Sequence, residues 1–169
     1  SSGGSDDGGG DDNQFYTLVW SDEFDGDTID ESKWNFETGN GNWGWGNGEL
    51  QYYKSENIQL IEVPNENGNN AVQITAKEES GSEITDQWGN PLNYTSGRIN
   101  TKSKVSVIYG VIETRVLIPD INTGGWPAVW LLGLSNLSWP RNGEIDIMEM
   151  GQRQAFRDLH DEHNGCLLY

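Results

Sequence analysis

The chain has 169 residues, enough for one domain with a real core, and is rich in Gly (22), Trp (8) and Tyr (6). Its formal net charge is −17; the first twelve residues carry four Asp and no Lys or Arg, so −13 belongs to the remainder. A surface this acidic repels phosphate backbones and anionic lipid, which argues against nucleic acid or membrane-surface binding and favours a neutral partner.

The one cysteine, Cys166, has no partner for an internal disulfide, and no Cys-rich metal spacing occurs. No apolar run reaches the roughly 18 residues of a membrane span. Residues 1–13, SSGGSDDGGGDDN, contain nothing to bury and read as a flexible Gly/Ser/Asp linker, with residues 14–169 as the folded domain. Such a tether implies an upstream domain or an anchor. It resembles the segment that follows the lipidated cysteine of Gram-negative surface lipoproteins, which points to the bacterial cell surface or the extracellular space.

From Phe15 the chain reads as short strands. FYTLVW (15–20) is aromatic and branched, and the acidic loop SDEFDGD follows; IDESKW (29–34) suits one helical turn. GELQYY (48–53), NIQLIEV (57–63) and AVQITAK (71–77) are strand-like, the last with Val72, Ile74 and Ala76 on one face. RINTKSKV (98–105) and VIYGVIETRVLIP (107–119) continue the series. WPAVWLLGL (126–134) is nearly all apolar, as in a strand buried on both faces, and GEIDIMEM (143–150) is the last clear strand. Strands this frequent, broken by Gly, Asn and Pro, define an all-β sandwich or barrel. Residues 152–169 are charged and without pattern until CLLY.

GEIDIMEM places Glu144, Asp146 and Glu149 within six residues. Glu144 and Asp146 are two apart and share a face, with Ile145 and Ile147 turned to apolar packing. Strict alternation would bury Glu149 among isoleucines, at a cost of several kcal/mol for an unpaired carboxylate. One extra residue in a β-bulge at Ile147–Met148 returns Glu149 to the acidic face. Carboxylates flanking a sugar are glycosidase machinery, and a separation of about 5–5.5 Å gives retention of configuration. A solvated acidic edge is the plain alternative for EIDIME taken by itself. The neighbouring Trp126, Trp130 and Trp139 weigh against it, because indole faces complement the flat C–H faces of pyranose rings.

Five segments resemble glycoside hydrolase family 16, in its laminarinase branch: LVWSDEFDG (18–26), WGNGELQYY (45–53), SGRINTK (96–102), GGWPAVWLLG (124–133) and WPRNGEIDIMEMG (139–151). They fall in family order across residues 15 to 151. The resemblance implies a concave jelly-roll β-sandwich and a retaining endo-hydrolase of 1,3-β-D-glucosidic bonds in laminarin-like β-glucan. It makes Glu144 the nucleophile, Glu149 the general acid/base and Asp146 the assisting residue between them. It also places Asn47, Arg98, Trp126, Trp130 and Trp139 against substrate. No cofactor is implied for catalysis, but a structural Ca2+ is, with ligands from near Glu23 and Gly68 and a further Asp in a late strand.

The residues themselves leave some of this open. Arg98 has a second reading as a salt-bridging surface residue, and Asn47 lies in a GNG turn that favours Asn for backbone reasons. SDEFDGDTIDE lacks EF-hand spacing, and His160 and His163 in HDEH do not make a zinc motif. Family domains continue well beyond the acidic strand, whereas this chain ends eighteen residues after Gly151. The expectation is therefore a sandwich truncated after the catalytic strand, with bare sheet edges and an open core. Two other readings stand beside laminarin hydrolysis: a mixed-linkage glucan or algal galactan hydrolase, and a non-catalytic glucan-binding fragment.

Overall fold

The computed structural model describes residues 16–79, 81, 83–121 and 124–151, and the backbone of 166–167. The linker 1–13, the HDEH segment and the side chain of Cys166 lie outside the described residues. Secondary structure is almost wholly β, in short strands: β1 (Asn35–Phe36), β2 (Gln51–Tyr53), β3 (Ile58–Glu62), β4 (Asn70–Ile74), β5 (Lys77–Glu78), β6 (Tyr94–Ser96), β7 (Ile99–Asn100), β8 (Ala128–Leu132), β9 (Glu144–Met150) and β10 (Cys166–Leu167). The chain divides into two compact units, Ser1–Ile112 and Glu113–Tyr169.

In the first unit β3 and β4 form an antiparallel hairpin, running from Ile58↔Ile74 to Glu62↔Asn70. β6 lies between β2, which is parallel to it, and β5, which is antiparallel. β1 pairs β7 with Phe36 opposite Ile99. Gly97 joins β6 to β7 where only a hydrogen fits, since a Cβ there would stand 2.3 Å from Ile58 Cγ1.

The tie between these strands is polar. Asn57 and Thr95 are the most deeply buried side chains among the described residues. Asn57 Nδ2 donates to Thr75 O at 2.7 Å and to Thr95 Oγ1 at 3.0 Å, and Thr95 Oγ1 donates to Glu79 Oε1 at 2.7 Å. Lys54 Nζ closes the cluster on Glu79 Oε2 at 2.9 Å. Thr95 first, then Lys54, holds the Glu79 carboxyl below the ordinary Glu value of 4.5. A lowered folded-state pKa stabilises the fold above that value, and the contribution is lost as pH falls below it. Thr95→Val should cost about 1–3 kcal/mol, because it strands a buried amide donor of Asn57. It should also weaken the acid-side loss of stability. Urea denaturation reads both, and an unchanged midpoint would contradict the role given to Thr95.

Two expected strands are absent. Residues 16–20 form no ladder, and Tyr16, Leu18 and Val19 are exposed. The segment is followed by side-chain anchors instead: Trp20 meets Trp34 edge-on at 5.7 Å, Phe24 stacks on Trp34 at 6.0 Å, and Trp34 Nε1 donates to Asp22 Oδ2 at 2.7 Å. Residues 107–119 are also without strand, with Ile108, Tyr109 and Leu117 exposed. Their period-two pattern describes a strand ready to bury one face, but a ladder also needs a neighbour's N–H and C=O groups, and among the described residues none pairs with it. The turn expected over 29–34 is present, with Lys33 N and Trp34 N both donating to Asp30 O.

In the second unit β8, β9 and β10 form one antiparallel sheet with β9 in the middle. β8 is not buried on both faces as its apolar run predicts: Leu132 is 47% exposed. Ile145 is likewise exposed rather than packed, while Ile147 is half-buried. Among its described residues this unit contains the single sheet β10–β9–β8. Among the described residues of the chain no helix is long and apolar enough to cross a membrane.

Candidate active site

β9 carries the three carboxylates, and its pairing with β8 decides where they point. Opposite residues are Leu132↔Glu144, Leu131↔Ile145, Trp130↔Asp146, Val129↔Met148 and Ala128↔Glu149. Ile147 has no partner, and the register shifts between Val129 and Trp130. This is the bulge the spacing predicts. Directly opposed residues of antiparallel strands project to one face, so Glu144, Asp146 and Glu149 align with Leu132, Trp130 and Ala128, each two apart on β8. Trp130 thereby joins the acidic face.

The bulge has a second consequence. It sets Glu149 at the end of β8, where Met150 N donates to Pro127 O at 3.1 Å. There Trp126 Nε1 donates to Glu149 Oε1 at 2.9 Å. The indole rests over Gly151: a Cβ at that position would stand 1.9 Å from Trp126 Cε3. Trp126 was expected only as a sugar platform; its hydrogen bond to a carboxylate depends on the bulged register and is not visible in composition. Trp139 is exposed in the turn before β9, which is closed by Arg141 N to Ser138 O and Gly143 N to Pro140 O.

The remaining candidates belong to the first unit and are described within it. Asn47 sits in the tight turn Gly44–Gly48, and its Nδ2 donates to Glu49 Oε1 at 3.3 Å. Glu49 Oε2 in turn accepts from Tyr53 Oη at 2.6 Å and from Gln51 Nε2 at 3.1 Å. Burial first, then the hydrogen bond and charge of Glu49, pushes the Tyr53 phenol up to about 12, so it remains a donor. Arg98 forms an ion pair with Glu37 and lies over the Trp45 ring at 4.4 Å. The salt-bridge reading of Arg98 is thus correct as far as it goes, but the pair is half-buried and backed by aromatic rings. Glu37, Glu49 and Tyr53 were not singled out from sequence. Alternation of Glu49, Gln51 and Tyr53 along GELQYY was the available signal.

For the implied Ca2+, Glu23 and Gly68 both lie in exposed loops, and Gly68 N donates to Glu62 Oε1 at 3.4 Å. A carboxylate and a backbone carbonyl are the hard oxygen donors Ca2+ takes, but about six to eight are needed. Among the described residues no group of three or more His, Cys, Asp or Glu gathers to complete such a set.

Three carboxylates of β9 and a tryptophan of β8 on one sheet face form the kind of arrangement that glycosidases use. Residues 34–166 match the family model described as an XgeA-like, catalytic GH16 domain. The chain belongs to glycoside hydrolase family 16. It is 41% identical over 140 residues to the glucan endo-1,3-beta-glucosidase A1 of Niallia circulans, covering 78% of this chain and 20% of that protein. Among solved structures it is similar to the laminarinase catalytic domain of Thermotoga petrophila, with TM-score 0.65 and 44% identity over 79% of this chain and 51% of that one. A mixed-linkage-glucan GH16 protein of Bacteroides ovatus gives TM-score 0.64 and 33% identity, over 83% of this chain and 52% of that one. These likenesses place the fold in the jelly-roll class of the family. The chain spans about half, or less, of the length of these relatives.

Proposed function

We propose that the protein is an endo-acting, retaining hydrolase of 1,3-β-D-glucosidic bonds in laminarin-like glucans. The observation that carries this is the bulged register, which sets Glu144, Asp146 and Glu149 on one face beside Trp130. Glu144 attacks the anomeric carbon while Glu149 gives its proton to the departing glycosidic oxygen, and the C1–O bond breaks. Glu149, now ionised, takes a proton from water; the oxygen of that water displaces Glu144 from C1 with a second inversion. Asp146, between them on the same face, orients the nucleophile. Trp126, Trp130 and Trp139 meet the apolar faces of sugar rings, and Asn47 and Arg98 hydrogen-bond hydroxyls.

Similarity to the Bacteroides ovatus protein favours a second reading with the same chemistry on mixed-linkage glucan. Reducing-sugar release from laminarin, lichenan and agarose separates the readings. We expect laminarin to be cleaved fastest; cleavage confined to lichenan or agarose would replace the first reading, and binding without release would make the chain a glucan-binding module.

A polymer substrate too large to cross a membrane supports a location outside the cell or at the bacterial surface. Glu23 and Gly68 would contribute ligands to a structural Ca2+. Adding Ca2+ to chelator-treated protein should raise the unfolding midpoint, and no shift would remove that site.

A further inference from the structure

Two tryptophans of the first unit are unused by the chemistry above. Trp43 and Trp88 pack edge-on with ring centroids 4.4 Å apart, yet they remain 67% and 52% exposed. Presenting two of the largest apolar side chains to water is unfavourable unless something covers them.

The backbone that carries each ring is well defined. Trp88 tops the turn 86–90, where Asp86 Oδ1 accepts from Trp88 N at 2.9 Å and from Asn90 N at 2.8 Å. Asp86 Oδ2 accepts from Asn90 Nδ2 at 2.8 Å, and the bonds of Asp86 N to Asn90 O and Leu92 N to Ile84 O close the hairpin beneath. Trp43 has φ 57° and ψ 44°, a left-handed conformation that bulky residues rarely hold. Its neighbour two residues on, Trp45, is turned to Arg98 and Tyr53. One loop thus supplies one tryptophan to the Arg98 cluster and one to the exposed pair.

We propose that Trp43 and Trp88 form a platform for a neutral β-glucan segment, a binding site built from residues of the first unit alone. Edge-on packing occupies one ring face and leaves others open to the C–H faces of pyranose rings. The net charge of −17 makes a polyanionic occupant unfavourable. Trp43 also leads directly into the turn Gly44–Gly48 that carries Asn47, so the platform adjoins a residue assigned to sugar binding. The proposal rests on the reading of the protein as a glucan hydrolase.

The test is affinity gel electrophoresis in laminarin, using Glu144→Gln protein so that the polymer stays intact. The parent should be retarded, and Trp43→Ala or Trp88→Ala in that background should weaken binding about tenfold, about 1.4 kcal/mol. Trp88→Tyr keeps a flat ring and should retain most of the retardation, which separates loss of the platform from loss of the fold. Full retardation of both alanine variants would overturn the platform while leaving the hydrolase reading intact. A parent that laminarin does not retard would remove the glucan reading and the platform together.

Discussion

Glu144→Gln is expected to lower kcat on laminarin by about four orders of magnitude or more, while binding of the polymer persists. The amide is nearly isosteric, so the sheet and the face shared with Trp130 and Asp146 stay in place. What disappears is the nucleophile, and a double displacement has no substitute for it. Glu149→Ala should behave differently. Loss of the proton donor costs about 10²–10⁴ on a glucan, whose leaving group is a sugar alkoxide. Far less should be lost on an aryl glycoside whose leaving group departs unprotonated. Azide added to Glu149→Ala should intercept the glycosyl-enzyme and give a β-glycosyl azide; with Glu144→Ala it should give the α-product by direct attack. Interchanged azide products would reverse the two assignments, and wild-type turnover in Glu144→Gln would remove the nucleophile altogether.

Trp126→Phe should give a smaller effect. Phenylalanine keeps an apolar ring over Gly151 but removes the N–H that reaches Glu149 Oε1 at 2.9 Å. A hydrogen bond contributes about 0.5–1.5 kcal/mol, which converts to about 2- to 10-fold in kcat if the bond orients Glu149 for proton transfer. The loss should be greater on laminarin than on an activated aryl glycoside, following the pattern of Glu149→Ala. An equal loss on both substrates, or a change in KM alone, would make Trp126 a sugar contact only. Gly151→Ala should act in the same direction, because its Cβ overlaps the indole.

The acidic strand was legible because the physics of GEIDIMEM leaves few choices. Three carboxylates two and three residues apart share a face only with an extra residue between the last two, and Ile147 is left unpaired as that requires. The strands of the β3–β4 hairpin were legible as NIQLIEV and AVQITAK, the second by its alternation, but their pairing was not read from the sequence. Residues 107–119 show the limit of periodicity. Alternation records which face a strand would bury but not whether a neighbour is there to pair with it. β10 shows the converse, because its two residues pair with Met150 and Glu149 through the backbone and have too short a pattern to read. The contacts of Glu37 with Arg98 and of Glu49 with Tyr53 and Asn47 arise from the packing of loops on strands. Spacing along the chain could indicate that Glu49 and Tyr53 share a face, but not that they meet through a hydrogen bond.

The central claim is that Glu144 forms a covalent bond to the sugar while Glu149 manages the proton. It is tested most directly by incubating the protein with a 2-deoxy-2-fluoro-β-laminaribiosyl donor bearing a dinitrophenyl leaving group, then locating the adduct by peptide mass spectrometry. The account predicts one glycosyl unit per chain, esterified to Glu144. An adduct on Glu149 or Asp146, or turnover of laminarin that yields product of inverted anomeric configuration with no adduct, would contradict it.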